Sequence, residues 1–136
     1  PMNDEQARDY IHKALAAMVR AGGSDLFIAH DFPPSMKAHG QMTPLNAQKL
    51  TGAVTAKLAE ALMNPRQREE FAQEMECNFA IAVPGVSRFR VNVFMQQGHV
   101  GMVVRTIAAE IPNFETLRLP EVLKSVVMEK RGLVLL

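Results

Sequence analysis

Arg88 to Gln96 reads as one long strand in which polar and apolar side chains alternate residue by residue through Val93, and after Gln97-Gly98 a second extended-type run goes from Val100 to Ile107. A period of two fits only a strand with one wet face and one covered face. Two such runs joined by a short glycine turn make an antiparallel hairpin or meander. The sheet this predicts carries Phe89, Val91 and Val93 on one face and Arg88, Arg90 and Asn92 on the other. Its apolar face needs a lid, which amphipathic helices elsewhere in the chain can supply.

The helical signals are strong. Ala7, Tyr10, Ile11, Ala14, Leu15, Met18 and Val19 recur at helical spacing from about Asp4 to Ala21. Asn3 with Gln6 has the pattern of a capping box, and Gly22-Gly23 supplies the stop. Leu50, Val54, Leu58 and Leu62 mark a second helix from about Ala47 to Met63. Asn64-Pro65, with Gln67 closing back, starts a short third helix that ends near Phe71 to Gln73. Between the first two helices, Asp25 to Ala29 reads as a short strand. Pro33-Pro34 turns into a second at Ser35 to Ala38, and His39-Gly40 turns again into Gln41-Met42. Asn78 to Val83 is a further strand, ended by Pro84-Gly85. Beyond Pro112 the pattern predicts a helical turn near Phe114 to Leu117 and a helix from Pro120 to about Lys130. The apolar run Gly132 to Leu136 reads as a strand of the buried, parallel-sheet type, so a continuation beyond it is expected. The fold class is α+β, a mainly antiparallel sheet flanked by helices.

Composition narrows the function classes. With 136 residues, 48% hydrophobic and 21% charged, the chain can bury one domain core and lacks the signature of disorder. A net charge of +1 provides no global field toward nucleic acid or anionic lipid. Cys77 is the single cysteine, which excludes an intrachain disulfide or a cysteine-based zinc site and is expected of a cytoplasmic chain. Met2-Asn3-Asp4-Glu5 is acidic where a secretory signal would be basic, and Pro1 reads as an expression scar.

No G-x-x-x-x-G-K-[ST] loop and no G-x-G-x-x-G fingerprint occurs, so no cradle of backbone amides for a triphosphate is legible. This chain alone is not expected to hydrolyse ATP. His12, His30, His39 and His99 lack the close spacing of zinc ligands. Asp25 and Asp31 bracket a short strand and read as capping and turn residues. Cys77, near Glu74 and Glu76, is not set up as a nucleophile, because negative neighbours raise a thiol's pKa. The informative group is Arg88 and Arg90, with Arg105 on the partner strand if the register permits. Two or three guanidiniums on one rigid face form an anion clamp, since each donates a fork of hydrogen bonds to phosphate. Spacing alone favours the plainer alternative, a solvated face ion-paired to Glu74 or Glu76.

Over nearly its whole length the sequence resembles the type IV pilus retraction motors PilT and PilU. The resemblance rests on Gly22-Gly23-Ser24-Asp25-Leu26-Phe27-Ile28, Pro33-Pro34-Ser35-Met36-Lys37 and Arg88-Phe89-Arg90-Val91-Asn92-Val93-Phe94. Arg105-Thr106-Ile107, Ile111-Pro112, Leu119 to Lys124 and Met128 to Val134 follow in the family's order. Glu76 to Ile81 and Met128 to Gly132 are more like the PilU branch. The resemblance implies a PAS-like N-terminal domain over residues 2–130, with 131–136 entering a RecA-like ATPase domain. It implies that the parent binds ATP and Mg while this chain alone holds no cofactor. Six copies form a ring, so the implied partners are the chain's own ATPase domain and its neighbours in a hexamer. A companion pilus motor and the inner-membrane pilus platform are implied as well, with no nucleic acid. In related motors arginines of this domain reach toward the nucleotide, which makes Arg88, Arg90 and Arg105 phosphate-sensing candidates and reverses the preference for a solvated face. Two alternatives are a freestanding PAS-like binding or sensory module and the equivalent domain of a type II secretion or pilus-assembly ATPase. A phosphate loop encoded shortly after Leu136 separates the motor from the module.

Overall fold

The computed structural model describes residues 2–109 together with residues 130, 131, 133 and 134. The first helix, α1 (Asp4–Arg20), begins where the sequence places it. The Asn3 carboxamide accepts from the Gln6 amide at 2.7 Å, and Gln6 Oε1 accepts from the Asn3 amide at 3.0 Å. That reciprocal pair satisfies two otherwise orphaned donors, a cap whose loss costs about 1 kcal/mol. Ala7, Ile11, Leu15 and Met18 form the buried stripe of α1.

The strands are β1 (Asp25–Ile28), β2 (Ser35–Ala38), β3 (Gln41–Pro44), β4 (Glu76–Val83), β5 (Ser87–Gln96) and β6 (His99–Ala109). They form one six-stranded antiparallel sheet in the order β3-β2-β1-β6-β5-β4. The predicted hairpin is β5–β6. Its turn takes positive φ at both Gln97 (53°) and Gly98 (82°), the pairing that matches strand twist in a two-residue connection. β6 lies centrally and pairs with β5 on one side and β1 on the other, so the first strand and the sixth are neighbours.

The second helix differs from expectation. α2 spans Gly52–Leu62, with Thr51 as its N-cap, rather than starting near Ala47. The Thr51 hydroxyl accepts from the Val54 amide at 3.2 Å. Residues 45–50 instead form a loop tied to residues 31–34. Leu45 donates to the Pro34 carbonyl, Leu50 to the Phe32 carbonyl, and Asp31 to the Leu50 carbonyl. Leu50 is an anchor in the core, which explains why it fitted the apolar periodicity without belonging to the helix. α3 (Pro65–Glu74) starts at the predicted Asn64 capping box, with Gln67 reciprocating. Its Arg68 reaches back to the end of α2, donating to the Glu60 carbonyl from Nε (3.1 Å) and Nη2 (2.7 Å) and to the Met63 carbonyl (3.2 Å).

Helices α1 and α2 cover one face of the sheet. Phe89, Val91, Val93, Leu26, Ile28, Met102 and Val104 meet Ile11, Leu15, Met18 and Leu58 in one core. Full burial of an aromatic or aliphatic side chain of this size stabilises by about 1.5–3 kcal/mol. The opposite face carries the polar residues, the arrangement expected of an antiparallel sheet with one solvated side.

A short ladder, β7 (Lys130–Arg131) with β8 (Leu133–Val134), is antiparallel and local. The run was expected to be a parallel strand. Of that run only Leu133 and Val134 are among the described residues. The expected turn at 114–117 and helix from Pro120 lie outside the described residues, except that Lys130 is in β7. Among the described residues no helix is long and apolar enough to cross a membrane.

Candidate functional site

Strand register decides which polar side chains meet on the solvated face. Asp25 of β1 pairs with Lys37 of β2 on one side and with Arg105 of β6 on the other. Arg105 in turn pairs with Arg90 of β5. Directly paired residues of an antiparallel ladder point to the same face, with Cα atoms about 4.5–5.5 Å apart. One row therefore runs Lys37, Asp25, Arg105, Arg90 across four strands. The adjacent row on that face holds Phe27, Val103, Asn92 and Asn78. These eight residues line a shallow concavity of about 410 Å³ with charged groups along one side and an apolar floor of Phe27 and Val103.

The register condition for Arg105 is met. Arg88 stands on the same face as Arg90, about 7 Å along the strand at two residues' rise. It does not line the concavity, and the ladder carries a bulge between Arg88 and Phe89. The three arginines differ in their bonding. Arg105 Nε donates to Asp25 Oδ2 at 3.0 Å, with the arginine side chain 70% exposed and the carboxylate only 8%. Arg88 and Arg90 are exposed and have no carboxylate partner among the described residues. The pairing to Glu74 or Glu76 expected of a plain solvated face is not formed. Glu76 instead accepts from Asn92 Nδ2 at 3.3 Å, which also donates to Asn78 Oδ1 at 2.7 Å.

Asp25 departs from its expected role as a cap. It is a strand residue whose carboxylate is buried, accepting from the Ser24 hydroxyl at 2.6 Å as well as from Arg105. Burial acts to raise its pKa, yet the Ser24 and Arg105 bonds outweigh that and hold it below the usual 3.8. Asp31 does serve as a turn residue, with φ at 71°. Lys37 and Asp25 are the members of the row that sequence reasoning missed. Both lie in short strands whose register cannot be read from alternation.

The other candidates take up structural positions. Cys77 is buried on the core side of β4, and its thiol pKa is raised first by desolvation and then by Glu70, rather than by the neighbouring Glu74 and Glu76. His30 and His99, far apart in sequence, stack with ring centroids 3.7 Å apart and planes 19° from parallel. Among the described residues no group of three or more His, Cys, Asp or Glu side chains is arranged to hold a metal ion.

A cationic row on a rigid sheet can grip an anion, and a concavity this open suits a group presented by another domain. No family model matches the chain. It is 48% identical over 123 residues to the type IV pilus ATPase PilU of Pseudomonas aeruginosa, covering 90% of this chain and 32% of that protein. It is 38% identical over 125 residues to the type IV pilus retraction ATPase PilT of the same organism, covering 92% of this chain and 36% of that one. Among solved structures, the pilus retraction motor PilT with bound ADP superposes with a TM-score of 0.69 at 31% identity, covering 82% of this chain and 33% of that chain. The chain thus spans about a third of the length of each of these proteins.

Proposed function

We propose that the chain is an N-terminal domain of the PilT/PilU family, with higher identity to PilU (48%) than to PilT (38%), and that its arginine face completes an ATP site held elsewhere in a pilus retraction motor. In this reading residues 2–130 are the PAS-like domain and 131–136 lead into a RecA-like ATPase domain that binds ATP and Mg. Six such subunits form a ring, at the cytoplasmic face of the inner membrane, where the pilus platform and a companion motor meet it.

The observation that carries the proposal is the side-by-side placement of Arg90 and Arg105 as register partners on an exposed face, with Arg88 one step along. Like charges directly opposite each other destabilise a sheet, so a site that keeps them is suited to a polyanion brought in from outside. As the ring closes, the guanidiniums neutralise charge building on the terminal phosphate. A cation supplied in this way is worth up to about 10³–10⁵ in rate. The chain contributes cations and a rigid platform, while the phosphate cradle belongs to the ATPase domain. By itself it therefore does not turn over ATP.

The test is steady-state ATPase turnover of the full-length motor carrying Arg88→Ala or Arg90→Ala, with melting temperature as the check on folding. The proposal predicts reduced turnover with the fold intact. Wild-type turnover in both variants retires it.

A further inference from the structure

We propose that Asp25 is a positioning residue that holds Arg105 by its Nε alone and so presents both terminal amino groups of the guanidinium to an incoming phosphate; this rests on the phosphate-sensing reading above.

The geometry divides the arginine into an anchored part and a free part. Nε donates to Asp25 Oδ2 at 3.0 Å, and the terminal nitrogens have no partner among the described residues. Nε–H is one of five donors, and the remaining four, on the two terminal amino groups, form the fork that suits a phosphate. A carboxylate gripping the fork itself would compete with the phosphate. One gripping Nε leaves the fork open.

The anchor is hydrogen-bonded at both of its oxygens. Ser24 Oγ donates to the other carboxylate oxygen at 2.6 Å. Ser24 is fixed in turn by backbone bonds to β2 and β6, its amide donating to the Lys37 carbonyl at 2.8 Å and its carbonyl accepting from the Thr106 amide at 3.0 Å. Asp25 is therefore buried and held at both oxygens, while the group it carries is 70% exposed. An ion pair with one exposed partner is worth about 0–1 kcal/mol, so stability alone gives little reason for the arrangement. As a mount for a guanidinium it is well suited.

Charge supports the same role. Arg90 lies directly opposite Arg105, and their repulsion would drive Arg105 away from the row. Asp25 offsets one of the three cations Lys37, Arg105 and Arg90, leaving the row net positive toward an anion while letting the two arginines stand together.

The test measures kcat and KM for ATP in the full-length motor with Arg105→Ala, Asp25→Asn and the double variant. Asp25→Asn preserves shape and the capacity to accept a hydrogen bond while removing the charge. Ser24→Ala, which loosens the same carboxylate, is the second variant if Asp25→Asn does not fold. The proposal predicts that Asp25→Asn lowers kcat by about tenfold, equivalent to ~1.4 kcal/mol of transition-state stabilisation, with KM little changed. In the Arg105→Ala background it has no further effect, because it acts through that side chain. If Arg105→Ala lowers kcat but Asp25→Asn leaves it at wild type, or if the two losses multiply, the positioning role is overturned and the phosphate-sensing reading survives. If Arg105→Ala itself leaves kcat unchanged, Arg105 senses no phosphate and the positioning role falls with it.

Discussion

Removing Arg105 leaves Asp25 a buried carboxylate with the Ser24 hydroxyl as its remaining side-chain partner. A hydrogen bond to a charged group contributes about 1.5–3 kcal/mol, but Arg105 is 70% exposed, and solvent screening reduces the expected loss for Arg105→Ala to about 1 kcal/mol. In urea that corresponds to a midpoint lowered by about 0.5 M for a domain with an m-value near 2 kcal/mol/M. The loss depends on pH with a definite sign. The folded pKa of Asp25 lies below 3.8, so the pair's stabilisation is fully present above the unfolded value and disappears as pH falls through the folded one. Equilibrium urea unfolding of wild type and Arg105→Ala at pH 7 and at pH 3 reads this directly. The midpoint gap is expected to be widest at pH 7 and to narrow once the pH falls below 3.8. An equal gap at both values would mean that Arg105 stabilises the domain by packing and not through the Asp25 carboxylate.

The remaining predictions concern the scaffold. Phe89→Ala removes a fully buried ring where the sheet meets the helices and should cost about 3–5 kcal/mol, seen as a large drop in melting temperature; a drop of a degree or two would place the core elsewhere. Cys77, with its thiol pKa raised above 9.0 by burial and Glu70, should react slowly with iodoacetamide at pH 8 until the protein is unfolded in urea; equal rates in native and unfolded protein would contradict its burial.

The parts legible in the sequence were those set by local chemistry. Asn3 with Gln6 and Asn64 with Gln67 announced two helix starts, because a capping box depends on residues three apart. The alternation from Arg88 to Val93 assigned each side chain to its face, because a strand's period is two whatever it pairs with. The start of α2 was misplaced because Leu50 is apolar for a tertiary reason, as the anchor of the loop over residues 31–34. Half of the row was visible as candidates, Arg90 and Arg105, but that the two stand directly opposite each other is set by the register of the folded hairpin. The other half depended on β1 returning to pair with β6, a contact between residues 80 apart in the chain. Asp25 and Lys37 join the site only through that crossover, and the His30–His99 stack likewise needs chain segments that only the folded sheet brings together.

The most direct test of the account is the structure of the full-length motor with a slowly hydrolysed ATP analogue and Mg. The account predicts a guanidinium nitrogen of Arg88, Arg90 or Arg105 about 2.7–2.9 Å from a terminal-phosphate oxygen. All three lying farther from that phosphate than a Debye length, about 8 Å, in every subunit of the closed ring would contradict it.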